Sequence, residues 1–443
     1  MAFLIAPAGF ILEPMHVYFS GIGGAGIGPL ALIAKTAGYE VSGSDKQTNL
    51  YIDYLAKHGV TDVHIGQTEE ALASAHAKHP IDWFVYSSAL PKENPEHPEL
   101  VFTEKHGIRH TKRDEFLNHL LQEKNQKMVA IAGTHGKTTT TAMAIWLFKQ
   151  LGIPLSYSVG AKLSYGEMGE YDPASEYFVY ECDEYDRNFL AFRPYLSLIT
   201  GVAWDHHDVY PTQANYDQAF GQFFEQSEKL VLWQADVDRL HIGTSVNKIV
   251  LSETDPKLAA IKLVGLVNRR DAWQVANALH LLVDEPIDKL IGLLEQFPGL
   301  SRRFEKLADN IYTDYAHTAE KIAGALNVAL ETNPNVVVVY EGLHNRRQHF
   351  MLDRGQFKDL FAGIQKVYWV PSYLAREDPN QKVLTPADLI KLSGYQALAE
   401  PAELHDKLKT AILAHANRGE LVLCISAGAG GSLDEWLRRE LTT

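Results

Sequence analysis

Residues 131–141 read IAGTHGKTTTT. A glycine, a lysine and a hydroxyl residue in immediate succession form a device for holding nucleotide phosphates. Gly133 and Gly136 let the backbone turn so that its N–H groups, including those around Thr134 and His135, converge on phosphate oxygens. Lys137 can reach the terminal phosphates, and the Thr138 hydroxyl can serve Mg2+. The usual spacing, G-x-x-x-x-G-K-[ST], would place the first glycine where the chain has Ile131, so the loop is a shortened variant. The plainer reading is a capped strand-to-helix turn. Against it, the run Thr138–Thr141 puts four β-branched residues where a helix begins, which favours a role beyond helicity.

A second glycine loop, SGIGGAGIG, occupies residues 20–28. Gly21, Gly23 and Gly26 give G-x-G-x-x-G, and Asp45 follows about 20 residues later, as in the dinucleotide fingerprint. Taken alone, this stretch predicts an NAD-dependent dehydrogenase, or a nucleotide-binding protein without catalysis. Two further clusters could serve a phosphate-bound cation. ECDEYD supplies Glu181, Asp183, Glu184 and Asp186; DHHD supplies Asp205, His206, His207 and Asp208. Acidic loop clusters are usually just solvated, but beside a phosphate loop they make a plausible metal-binding crevice.

The elements that must position these groups follow a repeated design. HVYFS (16–20) reads as a strand, the glycine loop follows, then a helix from about Ala25 to Ala37, then a strand ending at Asp45. This is a βαβ unit. The polar stretch HLLQEKNQK (119–127) marks a boundary, after which MVAIAG, the second loop and a long helix begin a new cycle. Strands at 175–184 and 195–208 end in the acidic and histidine clusters, as the ligand edge of a parallel sheet should. From LSRRFEKL (300–307) a third alternation begins, with strands in NPNVVVVYEG, IQKVYWVPS and GELVLCISAGAGG. The expected fold is α/β with three domains in series: a Rossmann-like domain at 1–123, a central P-loop ATPase-like parallel-sheet domain at 124–299 and a Rossmann-like domain at 300–443.

The bulk numbers agree. A chain of 443 residues exceeds one hydrophobic core. A net charge of −14 argues against a nucleic-acid surface. Two distant cysteines make no disulfide framework and fit a reducing cytoplasm. No apolar run is long enough to span a membrane. The apolar start, MAFLIAPAGFILEP, lacks a basic flank and is broken by Pro7 and Pro14; it is read as an optional leader before Met15 rather than a signal peptide.

Set in order, these motifs resemble the Mur ligases, the ATP-dependent enzymes that build the peptide stem of peptidoglycan. The resemblance runs through GIGGAGI, SGSD (42–45), SSAL (87–90), ENPE (93–96), GTHGKTTTT, ECDEYD, DHHD, SRRFE (301–305), DYAH (314–317) and AGAG (427–430). It implies that Gly133, Thr134, His135, Gly136, Lys137, Thr138 and Thr139 hold ATP, with Asn277 near the adenine and Asp314 where the third domain closes. Thr138, Glu181 and His206 are implied as Mg2+ ligands. Gly23, Gly24, Ala25, Gly26, Ser44, Asp45, Ser87 and Ser88 are implied for the sugar nucleotide, the first loop taking its diphosphate. Arg303, His317 and Arg347 are implied, with Lys137, Glu181 and His206, for catalysis and the incoming amino acid. The implied reaction joins L-alanine to UDP-N-acetylmuramate through an acyl phosphate, in the cytoplasm, by a monomer or homodimer. Addition of a recycled tripeptide, as in the murein peptide ligases, is the alternative. Departures fall mainly in the third section: DYAHTA lacks a histidine and the proline of the family pattern, YEGLHNRR shifts its arginines, and Gln274 stands where an asparagine is usual.

Overall fold

The computed structural model of the chain describes residues 14–206, 209–243, 247–374, 377–428 and 430–441. His207, Asp208, Ala429 and residues 1–13 lie outside the described residues. Two compact units emerge. One takes the chain as far as Ser252 together with Asn277–Asp284; the other takes Glu253–Ala276 and everything from Glu285 onward.

The first unit contains two sheets. The first comprises β1 (His16–Ser20), β2 (Glu40–Asp45), β3 (Val63–Ile65), β4 (Trp83–Tyr86) and β5 (Arg109–Lys112), in the order β3-β2-β1-β4-β5 and parallel throughout. Strand order reverses beside β1, so a crevice opens past the carboxyl ends of β1 and β4. That is where the Gly21–Ile27 loop and the Ser87–Ser88 pair sit. The helix after the loop runs Gly28–Thr36, starting three residues later than the pattern predicts because residues 21–27 are used up in turns.

The second sheet holds β6 (Lys127–Ala132), β7 (Ser156–Ser158), β8 (Gly169–Glu170), β9 (Tyr177–Glu181), β10 (Leu196–Ile199), β11 (Leu230–Trp233) and β12 (Lys248–Leu251). Its order is β12-β11-β10-β6-β9-β7-β8, and only the β7–β8 pair is antiparallel. β6 is central and its last five residues are all buried, as the continuous apolar run MVAIA requires. Its neighbours β9 and β10 carry the acidic and histidine segments at the same edge. One apolar cluster extends across both sheets, from Phe19, Trp83, Phe116 and Leu120 to Met128, Phe178, Ile199 and Phe220.

The second unit is built on β13 (Glu305–Ala308), β14 (Ile311–Asp314), β15 (Val336–Leu343), β16 (Lys366–Tyr373), β17 (Ala399–Pro401) and β18 (Leu421–Ile425), ordered β13-β14-β18-β15-β16-β17. All neighbours are parallel except β13 and β14. Val336–Val339 and Val422–Cys424 are buried on both faces of this sheet. The fold is therefore three α/β domains, each centred on a predominantly parallel sheet.

Candidate active site

The loop after β6 turns sharply. Gly133 has φ +136° and Gly136 has φ +80°, both outside the range open to ordinary residues. A β-carbon at Gly133 would also lie 2.4 Å from Thr200 Oγ1 and 2.9 Å from the Gly201 carbonyl oxygen. The loop is thus pressed against the end of β10. The Thr134 N–H donates to the Gly201 carbonyl at 2.8 Å, its hydroxyl donates to the Ala203 carbonyl at 2.7 Å, and the Thr200 hydroxyl donates to the His135 carbonyl. The Tyr216 hydroxyl lies 2.9 Å from Thr134 Oγ1. These bonds spend the loop's outer groups on the scaffold. The helix that follows, Lys137–Gln150, presents its positive end to the same point.

Three of the four threonines are placed differently. The Thr138 hydroxyl donates to Glu181 Oε1 at 2.8 Å; Glu181 Oε2 accepts from the Gly160 N–H at 2.8 Å. Thr141 bonds back to the Lys137 carbonyl within the helix. Thr139 lies in the first turn, half-buried. Thr138 and Glu181 therefore form a pair of hard oxygen donors, the type Mg2+ takes.

Lys137 points into the protein. Its Nζ donates to Glu184 Oε2 at 2.7 Å and to the Gly133 carbonyl. Glu184 is fully buried and is the hub of the site: His206 Nε2 lies 3.4 Å from Oε1, the Tyr216 hydroxyl donates to Oε1 at 3.4 Å, and the Tyr210 hydroxyl donates to the Glu184 carbonyl at 2.6 Å. Burial disfavours its charge, but Lys137 and His206 outweigh it and hold the carboxyl at about 2. Lys137 is likewise held above its ordinary range: burial opposes the charge, and Glu184 with Asp183 overcomes it. His206 is raised for the same reason, through Glu184. Donor atoms of Asp183, Glu184 and His206 come within 4.8 Å of one another. Glu181, paired with Thr138, stands outside that trio among the described residues. The residues present thus offer a cation two groups of donors, Thr138 with Glu181 and Asp183 with Glu184 and His206.

The first loop is arranged differently from its fingerprint. The Gly23 N–H donates to Asp45 Oδ2 at 2.8 Å, and the Gly24 N–H to the Gly21 carbonyl at 3.0 Å. Asp45 therefore closes on the loop. Ser44 is buried, and its hydroxyl donates to Glu99 Oε1 at 2.5 Å; the Ser20 hydroxyl donates to Glu99 Oε2 at 2.6 Å. Glu99, on the Pro98–Lys105 helix, ties together the ends of β1 and β2. Beyond β4, the Ser87 carbonyl starts a turn, and the Ser88 hydroxyl donates to Asn188 Oδ1 at 3.0 Å, bridging the two sheets. Asp186, in left-handed backbone at φ 56°, receives Lys92 at 2.9 Å and Lys112 at 2.6 Å.

Models of two families match the chain: the Mur ligase family catalytic domain over residues 16–125 and the Mur ligase middle domain over 131–263. A UDP-N-acetylmuramate–L-alanine ligase of Desulforamulus reducens is 30% identical, over 96% of this chain and 96% of its own. The chain belongs to the Mur ligase family. Among solved structures, a UDP-N-acetylmuramate–alanine ligase of Thermotoga maritima shares the fold with a TM-score of 0.73 at 22% identity, covering 97% of this chain and 98% of that one. A murein peptide ligase of Psychrobacter arcticus has a TM-score of 0.63 at 21% identity, with 97% and 98% covered. The dinucleotide fingerprint of the first loop thus occurs here in a Mur ligase.

The second unit of this Mur ligase has a cluster of its own. Asp314, at the end of β14, accepts from the Phe304 and Ala316 N–H groups at 2.8 Å each; burial pushes its carboxyl up, and Arg303 pulls against that. The Arg303 guanidinium lies 5.1 Å from the Tyr315 ring centre. His317 bonds the Tyr315 carbonyl through Nδ1 at 3.0 Å. Burial, then Lys321, Arg347 and Arg303, hold its ring neutral down to about 3. Arg303, Asp314, His317 and Arg347 therefore share one electrostatic neighbourhood. Asn277 is carried by the Leu266–His280 helix and falls in the first unit. The sequence offers Asp183 and Glu184 only as part of the ECDEYD cluster that could serve a cation, without the ion pair from Glu184 to Lys137. It offered no signal for Glu99, Tyr210 or Tyr216.

Proposed function

We propose that this Mur ligase joins the amine of L-alanine to the carboxylate of UDP-N-acetylmuramate at the expense of ATP, in the cytoplasmic assembly of peptidoglycan precursors. The observation that carries the reading is the phosphate loop with Lys137 and the Thr138–Glu181 pair, in the same unit as a second glycine loop. The names of its relatives support the choice of acceptor.

The chemistry needs no protein nucleophile. The sugar's carboxylate oxygen attacks the γ-phosphorus and ADP leaves, giving an acyl phosphate. The amine then attacks the acyl carbon, gives up a proton and expels phosphate. The chain's contribution is positioning and positive charge. Lys137 must leave Glu184 to meet the incoming phosphates, and its short tether to the Gly133 carbonyl keeps it at the loop. Thr138 and Glu181, with His206 across Glu184, would hold Mg2+, which neutralises phosphate charge when bound. Arg303 and Arg347 suit the carboxylate of the acceptor, beside a His317 that adds no charge of its own. We assign the chain's domains to residues 1–123, 124–299 and 300–443.

Phosphate release from ATP, Mg2+ and UDP-N-acetylmuramate, with either L-alanine or the tripeptide as acceptor, tests the reading. Release with alanine is expected; release with the tripeptide alone transfers the chain to the peptide ligases, and release with neither refutes both. Lys137→Ala should abolish turnover while UDP-sugar binding survives. Loss of both together would show that the two loops do not divide the labour.

A further inference from the structure

We propose that Arg113 is the charged half of the diphosphate site at the first glycine loop, the other half being the Ala25 and Gly26 N–H groups. This rests on the reading of that loop as the UDP site.

Two of the loop's four central N–H groups are already spent: Gly23 on Asp45 and Gly24 on the Gly21 carbonyl. Those of Ala25 and Gly26 have no partner among the described residues. They stand just before the Gly28–Thr36 helix, so its positive end adds to them. An anion therefore fits at Ala25–Gly26 rather than at Gly23–Gly24.

Arg113, the first residue of the Arg113–Glu123 helix, comes to the same point from the far end of the domain. A β-carbon at Gly26 would lie 1.7 Å from Arg113 Nη1 and 3.0 Å from its Cζ. The guanidinium thus fills the space that any side chain at position 26 would take. Its hydrogen-bonding capacity is largely unspent. The Asp114 and Asp183 oxygens lie 3.6 Å from Nε and 3.7 Å from Nη2, beyond hydrogen-bonding distance, and the buried Nε has no partner. An arginine that served only to link the two sheets would be expected to close on those carboxylates. Instead its planar fork, suited to two phosphate oxygens at once, stands beside two free backbone N–H groups.

Titration calorimetry with UDP, uridine and UDP-N-acetylmuramate separates the possibilities, using the full chain, Arg113→Ala, Arg113→Lys and Gly26→Ala. Arg113→Ala should weaken UDP about 10- to 100-fold, the worth of a hydrogen bond to a charged group, and leave uridine within about twofold. Arg113→Lys should fall between, keeping the charge without the fork. Gly26→Ala should reproduce the UDP loss by evicting the guanidinium with its charge intact. Should Arg113→Ala fail to fold, the other two variants carry the comparison. Unchanged UDP affinity, or parallel loss of UDP and uridine, overturns the inference alone. So does loss confined to UDP-N-acetylmuramate, which would assign the guanidinium to the sugar's carboxylate. Failure of the unaltered chain to bind UDP overturns the reading of the loop and the inference with it.

Discussion

Replacing Glu184 by glutamine keeps its volume and one oxygen acceptor but removes a charge that Lys137 and His206 both depend on. The carboxyl is brought from 4.5 to about 2 in the folded chain. At about 1.4 kcal/mol per pH unit, that corresponds to about 3 kcal/mol of stability at pH 7. The cost of breaking a buried ion pair, about 3–5 kcal/mol, gives the same range by another route. Because the folded carboxyl is the stronger acid, this contribution is complete above pH 4.5 and lost as pH falls through about 2. The gap between the two proteins should therefore shrink by more than half by about pH 3. Lys137→Met should cost a similar amount, since it strands the same carboxylate. The double variant, neutral on both sides and similar in volume, should recover much of the loss. Amide hydrogen exchange of β6 and the Lys137–Gln150 helix reads the stability of this unit without the other. A Glu184→Gln chain within about 0.5 kcal/mol of the original at pH 7, or a double variant equal to the sum of the single ones, would refute the account of Glu184 as the hub.

Gly133→Ala must fit a β-carbon 2.4 Å from Thr200 Oγ1 in backbone that alanine avoids, so ATP binding measured by calorimetry should fall at least about tenfold, with UDP binding retained. His317, neutral down to about 3 when folded and ordinary at 6.5 when unfolded, makes no pH-linked contribution above pH 6.5 and increasingly opposes folding as pH falls from there toward 3. His317→Gln should accordingly lose less stability on acidification than the original chain, by up to about 1.4 kcal/mol per pH unit in that window, as followed by denaturant melts at several pH values.

How much of this was legible depends on sequence distance. The phosphate loop was readable because Gly133, Gly136, Lys137 and Thr138 act through local backbone geometry that a strand–loop–helix junction dictates. The acidic and histidine segments were readable because parallel sheets collect such residues at one edge, although β10 stops at Ile199, short of the strand expected over 195–208, and His206 lies in the segment beyond it. Glu184 stood in a named cluster, but its role depends on a partner 47 residues away, and no periodicity carries that register. In the first loop the fingerprint did not specify that Asp45 accepts from the Gly23 N–H, a bond that depends on how β2 pairs with β1. The β7–β8 pair, three and two residues long, is too short for any alternating pattern to register. Arg113 escaped because an arginine opening a helix after a strand looks like an ordinary solvated charge.

The apolar cluster that runs through both sheets of the first unit has a consequence for ligand design. Two glycine loops mounted on one continuous apolar core are held at a set separation more firmly than loops on separate, loosely tethered lobes. Their separation behaves as a ruler. A compound carrying a uridine diphosphate mimic at one end and a triphosphate mimic at the other should gain most when its spacer is stiff and cut to that span. Flexible spacers of the same length would forfeit much of the gain to the entropy of being straightened.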